Sequence, residues 1–211
     1  DDRVSQSAHY NDLGTVYLLL GNFQYAAQSH ILAWQLCTED DIEDRAISLA
    51  GMGSAYYKLG DFQKCIKAYR RILDQAESVG DELPSCYMIT ACIGLGNSCC
   101  QVTQFDEAAE HFDRALELAE INGDSLIQAE AALLLGHVSF SLQRFDKAYE
   151  HYQKSFGVSQ EISDLLGQCR ACCGTANCYY AWADYQNAAR LYKKALERGF
   201  QAEVESTDKG P

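Results

Sequence analysis

Residues 95–124 read LGNSCCQVTQFDEAAEHFDRALELAEINGD, and variants of this phrase run along the whole chain. Upstream stand LGTVYLLLGNFQYAAQSHILA (13–33) and MGSAYYKLGDFQKCIKAYRRI (52–72). Downstream come LGHVSFSLQRFDKAYEHYQKS (135–155) and TANCYYAWADYQNAARLYKKA (175–195). A small residue marks the middle of each copy: Gly14, Gly53, Gly96, Gly136 and Ala176, at spacings of 39, 43, 40 and 40 residues. Nine residues after each marker stands an aromatic: Phe23, Phe62, Phe105, Phe145 or Tyr185. Three further on is Ala26, Cys65, Ala108, Ala148 or Ala188, and four beyond that His30, Tyr69, Phe112, Tyr152 or Tyr192. Ala33, Ile72, Ala115, Ser155 and Ala195 follow three later.

A unit of this size cannot bury its own apolar face, so such copies must stack on one another. Small residues at the marker and at the first alanine let two antiparallel helices approach closely. The aromatic between them is expected to plug the turn, and the later ring to pack on the next repeat.

Composition agrees with helix throughout. The chain has 211 residues, 47% hydrophobic, with only two prolines, Pro84 and Pro211. A net charge of −13 speaks against a nucleic-acid backbone or an anionic membrane surface, each of which attracts a basic stripe. A basic or neutral protein segment suits this charge better, although acidity also serves solubility. No apolar run within these residues is long enough to span a bilayer, and none of them reads as a signal peptide. The chain opens on Asp1, so an excised piece of a longer protein is expected.

The residue set Leu13-Gly14 with Tyr17, then an alanine and an aromatic four residues on, resembles the tetratricopeptide repeat. The fifth copy departs from it, with Thr175-Ala176 before Tyr179. The resemblance implies an all-α fold: a right-handed tetratricopeptide solenoid of about five helix-turn-helix repeats. The repeats fall at roughly 7–40, 46–80, 89–123, 129–163 and 169–200, an array over 1–200, leaving 201–211 as a polar tail. The period exceeds the usual length of about 34 residues. The joints Asp40-Asp41, Gly80-Asp81, Gly123-Asp124 and Ser163-Asp164 each read as a helix stop followed by an acidic cap. This long form resembles the subclass of Pins/LGN-type polarity adaptors and rapsyn, the last on CRACCGTANCYYAWADYQNAARLYKKA (169–195).

The resemblance implies that the first helix of each hairpin lines a concave groove. Carried over by register, the partner-binding candidates are Asn11, Tyr57, Lys58, Asn97, Gln101, His137, Phe140, Arg170, Asn177 and Tyr180. Amide side chains there can hold a partner's main chain while the aromatics supply burial. The positions matching the family's clamp for acidic chaperone tails hold Asn11, Ala50, Ile93, Leu133 and Cys173, without a lysine, so that clamp is not expected.

Catalytic chemistry is not expected. His30 stands at a core aromatic position, and His111 and His151 are expected on outer faces beside Glu110 and Glu150. No phosphate loop, nucleophile elbow or H-E-x-x-H motif occurs. The ten cysteines show no disulfide framework. Cys169, Cys172, Cys173 and Cys178 could hold a metal, but their repeat register favours packing, so no metal or cofactor is expected.

The expected function is that of a non-catalytic adaptor or scaffold in the cytoplasm, binding a protein or peptide segment. An array that self-associates or packs on another domain is the alternative, and cysteine-based metal or redox sensing a third. Nucleic-acid binding and membrane insertion are not expected, and oligomeric state stays open.

Overall fold

The computed structural model describes residues 2–208, without the side chains of residues 81 and 205–208. The described residues form ten α-helices and one short 3₁₀ turn, with no strand. In order these are α1 (Asp2–Leu19), α2 (Phe23–Leu36), α3 (Ile42–Leu59), α4 (Phe62–Val79), α5 (Ser85–Gln101), α6 (Phe105–Asn122), α7 (Ser125–Ser141), α8 (Phe145–Glu161), α9 (Leu165–Ala181) and α10 (Tyr185–Asp208). The fold class is therefore the all-α helix-turn-helix array the repeats predict. The chain divides into two compact units, residues 1–111 and 112–211.

Each hairpin turn is written by the repeat. Phe23, Phe62, Phe105, Phe145 and Tyr185 are the first residues of the second helices. Two residues earlier the backbone turns left-handed, at Gly21 (φ 74°) and Gly60 (φ 77°), but also at Thr103 (62°), Gln143 (57°) and Ala183 (59°). The left-handed region suits glycine and costs other residues, so the last three turns carry strain that the first two avoid.

The acidic joints cap unevenly. Asp124 accepts from the Ile127 amide and Asp164 from the Leu166 amide, each at 3.1 Å, satisfying donors a helix start leaves open. Asp41 does otherwise: its carboxylate turns back to the Thr38 amide (2.7 Å) and hydroxyl (2.8 Å) and gives α3 no side-chain cap. At Gly80 the chain enters a 3₁₀ turn through Glu82, and Pro84 stands just ahead of α5. Residues 201–204 and 205–208 fall within α10, and 209–211 lie outside the described residues.

In the first unit α1–α5 stack as hairpins, and the ring of each second helix is caught between two first helices. His30 of α2 lies between Gly14 of α1 and Gly51 of α3, where added Cβ atoms would collide with the imidazole. Tyr69 of α4 lies likewise between Gly53 of α3 and Gly94 of α5. In the second unit Tyr152 of α8 is held between Gly136 of α7 and Gly174 of α9. Around it Leu133, Ala148, Ala171 and Cys178 complete a buried core. In these three copies the later ring packs on the next repeat, and a second glycine in that repeat receives it.

His30 is 1% exposed. Its Nδ1 donates to Asn11 Oδ1 at 3.0 Å, and Ser48 Oγ donates to the same oxygen at 3.1 Å. Burial without a countercharge pushes its pKa down to about 4, so the ring is neutral in the fold.

Candidate functional site

In the first unit the candidate surface is built by α3 and α5. Tyr57 and Lys58 end α3; Asn97 and Gln101 lie one helical turn apart on α5. These helices stand side by side because Tyr69 fills the space between Gly53 and Gly94. The Tyr57 ring is fixed by an edge contact with Phe62 (centroids 5.7 Å apart), and its hydroxyl accepts from Gln101 Nε2 at 3.3 Å. Between the helices opens a pocket of about 270 Å³, lined by Tyr57, Lys58 and Asn97 and extended by Ser54, Thr90 and Ile93. Tyr69 forms part of its lining, hydrogen-bonded through its hydroxyl to Ser54 Oγ at 3.1 Å. Burial holds the Tyr69 phenol up at about 12, so it stays neutral.

In the second unit the surface is built by α7 and α9. His137 stands edge-on to Tyr152 at 5.5 Å. Partial desolvation of the imidazole by its neighbours, and after it the charge of Arg170, lowers its pKa, favouring the neutral ring that can accept a hydrogen bond. Phe140 leans on Phe145 (5.2 Å) and Tyr180 on Tyr185 (5.5 Å), the same pairing as Tyr57 with Phe62. Asn177 Oδ1 accepts from the Tyr192 hydroxyl, which leaves its amide NH₂ to donate outward. Arg170 lines a smaller pocket of about 150 Å³ with Leu126, Glu130 and Leu133.

Nine of the ten predicted residues thus keep at least part of the side chain at the surface of their unit. Asn11 does not: it is buried, and its oxygen is committed to His30 and Ser48. The reason lies in the first repeat, where an imidazole replaces the tyrosine or phenylalanine of the other copies and needs a polar partner. His111 and His151 are half-buried rather than on outer solvated faces. His151 has its pKa lowered by burial despite Asp113 nearby.

Sequence reasoning passed over Thr90, which lines the first pocket one turn before Gly94. It also gave no sign of a larger cavity, about 570 Å³, among α2, α3 and α4. That cavity is bordered by Glu39, Arg45, Arg71 and Asp74, whose charges balance, and Arg71 lies 5.2 Å from the Trp34 ring centre.

Five of the ten cysteines fill space in the interior. Cys65, Cys92, Cys99, Cys172 and Cys178 are buried, and all ten thiols are unbridged. Burial raises the pKa of Cys65, Cys172 and Cys173, and lifts Cys99 and Cys178 to about 11. Thiols so protonated are poor nucleophiles.

Three family models described as tetratricopeptide repeat match the chain, over residues 46–78, 91–126 and 127–198. The chain is a tetratricopeptide repeat protein. No curated protein matches it at the level of sequence. Among solved structures it is similar to BtubC (BKLC) from P. vanneervenii, with a TM-score of 0.84 at 17% identity over 95% of this chain and 82% of that one. It is also similar to MamA from Desulfovibrio magneticus RS-1 (TM-score 0.69, 18% identity, 93% of this chain and 96% of that one). A Rap protein complexed with Competence and Sporulation Factor gives a TM-score of 0.75 at 19% identity, over 95% of this tetratricopeptide chain and 56% of the Rap chain. At these identities the likeness is one of fold. Within the tetratricopeptide array, no described helix is long and apolar enough to cross a membrane.

Proposed function

We propose that this tetratricopeptide protein is a non-catalytic adaptor that binds a protein segment on the faces of its first helices. The observation that carries the reading is the pocket between α3 and α5, where Tyr57, Lys58 and Asn97 converge on an apolar floor. Its aromatic wall would bury a partner side chain while Asn97 and Gln101 hydrogen-bond the partner's main chain. Because ring contacts already fix Tyr57, Phe140 and Tyr180, binding would order few side chains on this protein's side. His137, Arg170 and Asn177 are proposed to serve the second unit in the same way.

The repeat period near 40 residues supports a role like that of Pins/LGN-type adaptors and rapsyn, organising complexes in the cytoplasm. The Rap protein seen with Competence and Sporulation Factor lends the same fold to a binding role. The net charge of −13 favours a basic or neutral segment as partner.

A peptide-display selection tests this, run on the wild type and on Tyr57→Ala/Asn97→Ala and His137→Ala/Asn177→Ala variants shown by circular dichroism to be folded. A consensus selected by the wild type and lost by either variant supports the reading. The same consensus from all three proteins overturns these sites.

A second reading, self-association, is favoured by one feature. Tyr192, Leu196, Phe200 and Val204 form an i, i+4 stripe along α10, with Leu196 61% and Phe200 65% exposed. Sedimentation that depends on concentration, and no longer does after Leu196→Lys, would move this reading ahead.

A further inference from the structure

One position in the hairpin is used alike in the first two copies. Three residues past the marker stands a tyrosine, and eight residues later its companion from the second helix lies against it. Tyr17 meets Tyr25 (ring centroids 5.5 Å), and Tyr56 meets the ammonium of Lys64 (5.3 Å). In the third copy this pair is Cys99 and Glu107, and one turn further along α6 stands His111. Here the clasp of a ring against its companion gives way to a thiol, a carboxylate and an imidazole. Their ligand atoms all lie within 4.8 Å of one another, the only such triad among the described residues.

We propose that Cys99, Glu107 and His111 form a binding site for a divalent metal ion of zinc's chemistry. The donors are one sulfur, one oxygen and one nitrogen, a set suited to zinc and to neighbouring transition ions rather than to calcium or magnesium. In a tetrahedral site with bonds of about 2.0–2.3 Å, ligand atoms stand roughly 3.3–3.8 Å apart. Small side-chain rotations therefore close the triad on an ion, leaving the fourth position to water.

The surroundings permit this. All three residues lie in the first unit, on the last turn of α5 and the first two turns of α6. The turn that joins them is held by the Gln104 amide on Cys99 O at 2.9 Å, so their spacing is preset. Glu107 Oε1 pairs with Arg70 and stands 3.8 Å from His111 Nε2. The Arg70 side chain is 54% exposed, and an exposed pair of this kind contributes little, so the guanidinium can swing into water. Without metal, burial and the neighbouring carboxylate hold the Cys99 thiol protonated. On binding, the ion takes up the thiolate and the thiol proton leaves to solvent. Thiolate and carboxylate together neutralise the two positive charges, and a repulsive neighbourhood becomes an attractive one.

The test is a cobalt(II) titration of the chelator-treated protein, with zinc affinity measured by competition. The expected result is a one-to-one complex showing the near-ultraviolet thiolate-to-cobalt charge-transfer band and the strong visible bands of four-coordination. Cys99→Ser removes the charge-transfer band. His111→Ala and Glu107→Gln, both at partly exposed side chains, weaken binding at least tenfold with unchanged circular dichroism. Cys86→Ser, on an exposed thiol outside the triad, leaves the complex as it was. Absence of the charge-transfer band in the wild type, or binding indifferent to both His111→Ala and Glu107→Gln, overturns the assignment.

Discussion

The ring of Tyr152 lies so close to the backbone of Gly174 that a Cβ there would fall 2.5 Å from Cε1. Tyr152 belongs to α8 and Gly174 to α9, so the contact joins one repeat to the next. The tyrosine is 1% exposed and has Gly136 at the same distance on its other side, which leaves it nowhere to retreat.

Gly174→Ala should therefore destabilise the fold by about 1–3 kcal/mol, although alanine by itself favours helix. Gly157 of α8 provides the opposite case, because nothing stands within 4 Å of a Cβ there. Gly157→Ala should stabilise by about 0.5–1 kcal/mol, the ordinary helical preference for alanine. Urea midpoints of the two variants, moving in opposite directions, are the check.

His30 predicts a pH dependence. Its folded-state pKa of about 4 lies below the ordinary 6.5, so the unfolded chain binds the proton more strongly. Stability from this residue is complete above the unfolded value and is lost as pH falls toward the folded one. Between about pH 7.5 and 4.5 the loss should be roughly 2.5 kcal/mol. His30→Tyr, the residue type of the matching positions 69 and 152, should flatten the wild-type slope by that amount. Urea melts at several pH values decide it, and parallel slopes would show that the imidazole is not responsible.

Ala183 occupies a turn at φ 59° where the first two hairpins use Gly21 and Gly60. The left-handed conformation costs a residue with a Cβ about 1–2 kcal/mol, while glycine adds roughly 0.4–1 kcal/mol of unfolded-state freedom. Ala183→Gly should thus raise stability by about 0.5–1 kcal/mol. A lowered melting temperature would contradict this account of the turn.

Ala148 packs with Tyr152, Leu133 and Ala171 and has no exposed surface. Ala148→Leu should cost about 1–3 kcal/mol or more, whereas Ala181→Leu, at an exposed position, should stay within about 0.5 kcal/mol. Equal denaturation midpoints for the two would mean that the repeat register is misread.

What the sequence determined by itself was the inside of each hairpin. The marker, the turn aromatic and the later ring recur at fixed separations, so Phe62 opening α4 and Tyr69 facing Gly53 follow from spacing alone. The aromatics Tyr57, Phe140 and Tyr180 came instead from the register of the resembling family, and the structure sets each against the aromatic five residues later. Contacts between repeats carry no such local signature. Gly94 receives Tyr69 and Gly174 receives Tyr152 across a joint, and only the stacked helices reveal these partners. The same holds where one copy departs from the others. Asn11 turned inward because His30 needs a polar partner, and Cys99 met Glu107 and His111 because two helices brought unlike side chains together. Periodicity encodes what every repeat shares; a polar residue that breaks it finds its role only among the neighbours that tertiary packing supplies.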